Sequence, residues 1–345
     1  MNLNATDCGQ RRTGSGVVVV TGASAGVGRA IVETFAADGW DVALLARESR
    51  RLTAAAEAVR RGGRRALAIP VDVADARAVE SAADQVEATL GSIDVWVNDA
   101  MATVFAPVAA LSPSDIRRAT EVTYLGTVWG TLAALGRMRE RDRGTIIQIG
   151  SALAYRSIPL QAPYCAAKAA IRGFTDSLRC ELAHDRSRVR VTFVVLSAFN
   201  TPQFEWGRTA LSRRPRPMGK IFQPEIAARA VLRAARRPRR EIWVGWPAVQ
   251  STIGQRLIPG LLDRILGRSA WDGQQSDEPL PRRRPDNLYH AVDRPHGAHG
   301  RFDHVATSFS VQAWLSEHRL ASALTGAAML WVAGRLLRSR SGGPR

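Results

Sequence analysis

Residues 17–28 read Val17-Val18-Val19-Val20-Thr21-Gly22-Ala23-Ser24-Ala25-Gly26-Val27-Gly28, and the order of their chemistry decides the architecture. Four consecutive β-branched residues suit a strand buried on both faces, as in a parallel sheet. Glycines follow at once. A helical pattern then runs over 27–38, with Ala30, Ile31, Thr34 and Phe35 on one side and a stop near Gly39. Strand, glycine loop and helix in this order form a cradle for a pyrophosphate. The glycines allow close backbone approach, and the helix N-terminus presents free N–H groups at the positive end of its dipole. Thr21, Gly22, Ser24, Gly26, Val27 and Gly28 are therefore the first candidate binding residues.

Outward from the loop, strands and helices alternate. Strands are predicted at 17–20, 41–46, 66–70, 94–98, 145–149, 189–196 and 241–244, and helices at 27–38, 50–61, 76–90, 113–139, 162–184 and 224–236. This is the pattern of an α/β protein, a Rossmann-type doubly wound parallel sheet of about seven strands with helices on both faces. The expected organisation is a flexible N-terminus over 1–14, this domain over 15–249, and a mostly helical extension over 250–345.

A second cluster lies at the other end of the domain. Tyr164 and Lys168 stand four apart on a predicted helix and so share a face, and Ser151 closes the strand ending Ile149-Gly150. An ammonium beside a phenol favours the phenolate, bringing its proton exchange nearer neutral pH than a free pKa of about 10 allows. Tyr-x-x-x-Lys alone is common; with the glycine loop it is specific.

Together the Thr-Gly-x-x-x-Gly-x-Gly loop and the Ser151/Tyr164/Lys168 spacing resemble the compact branch of the short-chain dehydrogenase/reductase family, over roughly residues 15–247. Asp72-Val73 looks like that family's adenine-contacting pair. Asn98-Asp99-Ala100-Met101 is similar to its Asn-Asn-Ala-Gly segment, with Asp99 and Met101 as departures. The resemblance implies a nicotinamide-dependent oxidoreductase in which Tyr164 exchanges the proton, Ser151 holds the substrate oxygen and Lys168 also holds the nicotinamide ribose. Thr123 stands where the family carries an asparagine that anchors a relay water, so Thr123 is the candidate for that role. In the segment Leu196-Ser197-Ala198-Phe199-Asn200-Thr201, which replaces the family's Pro-Gly-x-x-x-Thr, Thr201 is the candidate for touching the cofactor.

Cofactor choice is read past the second strand. An acid there would hold a ribose 2′-hydroxyl, but the place carries Ala46-Arg47, with Arg50 and Arg51 beyond. An arginine fork suits a 2′-phosphate. NADP(H) is expected over NAD(H), with Arg47 as its determinant.

The chain has 345 residues, 46% of them apolar, and a formal charge of +17. It can bury one large α/β core with residues to spare. Arginine supplies nearly all the positive charge and is spread along the chain, without a nucleic-acid-binding motif; no nucleic-acid partner is expected. Three scattered cysteines, Cys8, Cys165 and Cys180, and the lack of an opening apolar leader point to a reducing, cytoplasmic setting. Homo-oligomers are expected.

The Arg- and Pro-rich stretch 208–220 reads as a mobile substrate lid, and the apolar helices around it suggest an apolar carbonyl or alcohol substrate. Residues 253–266 form an amphipathic helix interrupted by Pro259, expected to pack on the domain or a partner, with lipid contact as the alternative. Residues 272–308 read as an irregular crossing segment; its His290, His296, His299 and His304 match no closed metal site, and none is expected. The apolar stretch 320–334, flanked by arginines, is too short for a bilayer core of roughly 30 Å. It is expected to dock on protein or lie on the inner membrane face. A non-catalytic dinucleotide-binding sensor or scaffold is the alternative to an enzyme, and the intact Ser151/Tyr164/Lys168 set argues for the enzyme. A sugar-nucleotide epimerase fits the loop spacing less well.

Overall fold

The structure is a computed structural model describing residues 16–317 except Glu48, Arg282, Asp293 and Pro295. The expectations for residues 1–14 and 320–334 lie outside the described residues.

The chain begins with β1 (Val17–Thr21), α1 (Gly26–Ala37), β2 (Asp41–Ala46), α2 (Ser49–Arg61), β3 (Ala66–Pro70), α3 (Ala76–Leu90) and β4 (Ile93–Asn98). A two-residue strand β5 (Val104–Phe105) precedes α4 (Pro113–Thr120), α5 (Gly126–Glu140), β6 (Thr145–Ser151), α6 (Ala162–His184) and β7 (Arg190–Leu196). After short β8 (Ala198–Phe199), the helical turn α7 (Gln203–Trp206), β9 (Arg208–Thr209), β10 (Arg213–Pro215) and β11 (Ile221–Phe222) come α8 (Pro224–Arg236) and β12 (Glu241–Val244). The extension holds α9 (Trp246–Leu257), α10 (Pro259–Gly273), β13 (Gln275–Pro279) and α11 (Val311–Glu317).

Seven strands form one sheet in the order β12-β7-β6-β4-β1-β2-β3, every pair parallel. Alternation along β1 shows the layering: Val18 and Val20 join the core under α1, α2 and α8, while Val17 and Val19 join the core under α3, α5 and α6. The strand order reverses between β1 and β4, which opens a crevice at the carboxyl ends of the strands. Local chemistry sets the helix starts. Asp75 caps α3 by accepting from the N–H groups of Arg77 and Ala78 (2.9 and 3.1 Å), and Ser112 caps α4 through Asp115 N–H. No side chain caps α1, so its first N–H groups are left to backbone partners or a ligand at the glycine loop.

Three expectations change. The single helix predicted over 113–139 is two helices joined by a π-helical turn, Glu121–Leu125. The turn's sequence, Glu121-Val122-Thr123-Tyr124-Leu125, carries no glycine or proline to mark the break. The stretch 208–220 is not a free lid. β9 pairs with β5 and β10 with β13, leaving residues 210–212 and 216–220 between strands. The helix predicted over 253–266 is a hairpin of α9 and α10 that breaks at Ile258 (φ −140°), because the residue before Pro259 is pushed out of helical geometry while proline suits the first turn of α10.

Candidate active site

A cavity of about 450 Å³ occupies the crevice. Gly22, Ser24, Gly26 and Val27 line it at the glycine loop, Arg47, Asp72 and Val73 at the ends of β2 and β3, and Ala100 after β4. Ser151, Tyr164, Lys168 and Thr201 line the other half. Thr21, Gly28, Asn98 and Thr123 are not on the cavity wall; they shape it from behind. Thr21 accepts the N–H groups of Asp99 and Ala100 (3.0 and 3.1 Å), binding the loop after β4 to the glycine loop. Gly28 sits where an added Cβ would lie 2.4 Å from the Gly22 oxygen and 2.7 Å from Asp99 Oδ2. Gly22 has φ +73°, a conformation that favours glycine. Such a close backbone approach fits a dinucleotide's pyrophosphate. Asn98 is wholly inside, giving its amide to Thr131 and Gln148 and accepting from Trp96.

The three chemistry-bearing residues converge. Ser151, at the carboxyl end of β6, accepts from Leu153 N–H (3.1 Å) and hydrogen-bonds Tyr164. Burial pushes the Tyr164 phenol well above its ordinary pKa, against the lowering effect of Ser151. Lys168 reaches past the phenol, its Nζ 5.6 Å from the ring centroid, and donates to the Ile149 carbonyl (2.6 Å). Cys165 and Asp99 add to the rise, and the lowering expected from the ammonium is not found in the protein alone. Burial also lowers the Lys168 pKa to about 8, opposed by Asp99, whose own pKa burial raises to about 7. Asp99 sits on the cavity wall. Its only sequence signal was the departure from an asparagine.

Thr123 lies in the π-turn and is fully buried. Its hydroxyl donates to the Ala102 carbonyl (2.9 Å) and accepts from Ala102 N–H (3.0 Å). That proton is spent on Ala102 and is not offered to a relay water. Thr123→Val should leave two buried backbone groups unpaired, costing about 1–3 kcal/mol and lowering kcat as the loop holding Ala102 loosens. Thr123→Ser should keep both properties. Thermal melts and kcat for the two variants check this; a Thr123→Val protein matching the parent in both would refute it.

Sequence reasoning missed the cover of the groove. Residues 286–292 cross its end beside Arg47 and Asp72, and Asn287, Ala291 and Val292 enter the wall. Arg47 donates to the carbonyls of Asn287 (2.5 Å) and Leu288 (3.1 Å). Arg51 donates to the carbonyls of Val292 and Arg294, and stacks over Trp206. Arg118 bridges Asp72 and the Leu288 carbonyl. At the loop itself, Gly26 N–H donates to the Gly297 carbonyl (3.1 Å). The altered segment before Thr201 has its explanation here. Asn200, fully buried, donates to Gln223 (3.0 Å) and Asp303 (2.8 Å) and accepts from Phe302 N–H (3.0 Å), pinning the crossing segment to the domain. His299 lies between Glu225 and Asp303, each at 2.7 Å; burial lowers its pKa, but the two carboxylates outweigh burial and raise it.

Comparison with known proteins agrees with this geometry. The short chain dehydrogenase profile matches residues 16–209. An uncharacterized oxidoreductase of Bacillus subtilis, YxnA, is 30% identical over 277 residues, 80% of this chain and 78% of its own. Human dehydrogenase/reductase SDR family member 7 is 35% identical over 48% of this chain and 50% of its own. Among solved structures, a short-chain dehydrogenase from Streptomyces avermitilis superposes with TM-score 0.62 at 29% identity, covering 75% of this chain and 96% of that one. An alcohol dehydrogenase from Thermococcus sibiricus, complexed with 5-hydroxy-NADP, gives TM-score 0.58 at 27% identity, covering 67% and 96%. Matches that span most of the sheet and its crevice place the chain in the short-chain dehydrogenase/reductase family, as an NAD(P)-dependent oxidoreductase acting on CH–OH or C=O groups.

Proposed function

We propose that the protein interconverts an apolar ketone or aldehyde and its alcohol with NADP(H), Tyr164 serving as general acid and base. The observation that carries this reading is the meeting of Ser151, Tyr164 and Lys168 in a cavity whose substrate side is walled by Leu153, Ile158, Phe204, Met218 and Leu266. When bound, the nicotinamide supplies or accepts the hydride. Gly22, Ser24, Gly26 and Val27 would hold its pyrophosphate, Val73 and Ala100 would flank the adenosine, and Thr201 would meet the nicotinamide half. Ser151 accepts from Leu153 N–H and hydrogen-bonds Tyr164, and its hydroxyl would turn to the substrate oxygen once substrate enters. The buried phenol of Tyr164 keeps its proton until negative charge gathers on that oxygen, and then delivers it. In reduction the cationic Lys168 stabilises the charge left on Tyr164; in oxidation it stabilises the phenolate that must be present to take the alcohol's proton.

Arg47 and Arg51 at the end of β2 support the NADP(H) preference, and the acid on that wall, Asp72, is taken up by Arg118. A charged phosphate is a stronger acceptor than the backbone carbonyls that Arg47 now meets. NADPH should bind at least about tenfold tighter than NADH, equivalent to roughly 1.4 kcal/mol, and Arg47→Ser should erase the difference. Fluorescence titration of both cofactors measures it, and equal affinities in the parent would end the NADP(H) assignment. The activity itself is tested by NADPH consumption across a panel of apolar ketones and aldehydes; no turnover on any of them would defeat the proposal.

A further inference from the structure

The α9–α10 hairpin forms one wall of the cavity and, on its other side, an exposed ridge. Ala248 and Ser251 of α9 and Leu266 of α10 face the cavity. Outward, Ile253 and Leu257 of α9 are 50% and 73% exposed, and at the turn Ile258 is 46% exposed. In α10, Leu261, Arg264, Ile265 and Arg268 recur at i, i+3, i+4 and i+7, all four exposed. Arg256 extends the same mixture along α9, one turn from Ile253. Asp263, the only acidic residue between Trp246 and Trp271, is held by Arg156 at 2.7 Å. The ridge is therefore aliphatic and cationic, with its one carboxylate neutralised.

We propose that this ridge docks the protein on an anionic lipid surface. Aliphatic side chains at the turn enter the headgroup boundary, and the interleaved arginines lay their stems along it with guanidinium groups at the phosphates. Two features favour lipid over a second copy of the chain. A two-fold contact would set this patch against itself, bringing arginines opposite arginines with no free acid between them. The turn residues 257–261 are also all exposed, so the surface is a ridge that offers no groove. The docked face adjoins the cavity through α10. On the reading of an apolar substrate given above, a substrate dissolved in the lipid would have a short path to Tyr164.

Sedimentation of the full chain with vesicles tests this. It should bind phosphatidylcholine vesicles containing phosphatidylglycerol, not phosphatidylcholine alone, and salt should weaken the binding. Leu257→Asp/Leu261→Asp, and separately Arg264→Gln/Arg268→Gln, should each weaken it by at least about tenfold. Both pairs are exposed, and both variants should turn over a water-soluble ketone as the parent does, so a folding loss would show itself. Vesicle binding is read without turnover, so it stands or falls apart from the substrate assignment. An unbound parent would overturn the proposal. So would variants that bind like the parent, which would move lipid contact to another part of the chain. A parent that ignores vesicles but loses a dimer on Leu257→Asp/Leu261→Asp would overturn it in favour of a contact between copies.

Discussion

Tyr164→Phe should lower kcat by roughly 10²–10⁴-fold, the range for loss of a positioned general acid, with cofactor affinity nearly unchanged. The substitution removes one oxygen from the cavity and leaves the ring beside Lys168 in place. Lys168→Ala should behave differently. Its Nζ donates to the buried Ile149 carbonyl and its charge opposes the upward shift of Asp99. Removing it leaves that carbonyl without this donor and lets Asp99 hold its proton to higher pH. Stability and cofactor affinity should fall along with kcat. Single-turnover kinetics and cofactor titration on both variants separate the two roles. A Tyr164→Phe enzyme that keeps more than a few per cent of kcat would remove Tyr164 from the proton transfer.

Gly28→Ala should be nearly as damaging, by another route. Its Cβ would sit 2.4 Å from a backbone oxygen of Gly22, at a loop that cannot yield without opening the cradle. Overpacking of this kind costs about 1–3 kcal/mol, and cofactor affinity should fall by at least about tenfold as the loop moves away from its phosphate-holding geometry. Gly136 is the control. It lies in α5 with open space around its would-be Cβ. Gly136→Ala should be neutral or stabilise by up to about 1 kcal/mol. Thermal melts and cofactor titration of the pair provide the comparison, and equal behaviour would mean that the cradle tolerates a methyl group.

The sheet was legible because its information is local. Val17 to Val20 are buried by composition alone, and the glycines after them allow few other readings. The strand ends at Asp41, Ala46, Ala66, Pro70, Glu241 and Val244 coincide with the pattern of apolar residues. Ser151, Tyr164 and Lys168 were legible through spacing, since a strand end and one helical turn leave little freedom. The rest depends on partners distant in sequence. Nothing around Asn287 or Leu288 announces that Arg47 will take their carbonyls, because backbone carbonyls carry no residue signature. Asn200 looked like a departure from a motif until its partners Gln223 and Asp303 were placed. The π-turn at Thr123 answers to a hydrogen bond with Ala102, which no periodicity encodes. Short strands such as Arg208–Thr209 and Arg213–Pro215 are imposed by their neighbours on residues with little strand preference of their own.

The crossing segment also gives the protein a history during its synthesis. Arg47 and its carbonyl partners are 240 and 241 residues apart. When β12 has been made, all seven sheet strands and Ser151, Tyr164 and Lys168 exist, yet the end of the groove beside Arg47 has no cover. At about 5–20 residues per second, several seconds of translation separate that moment from the arrival of residues 286–300. A nascent or prematurely ended chain would load and lose its cofactor freely, whereas the finished one must lift a strap to do so. The tail should thereby lengthen residence time, and its loss should register first as faster exchange rather than altered chemistry.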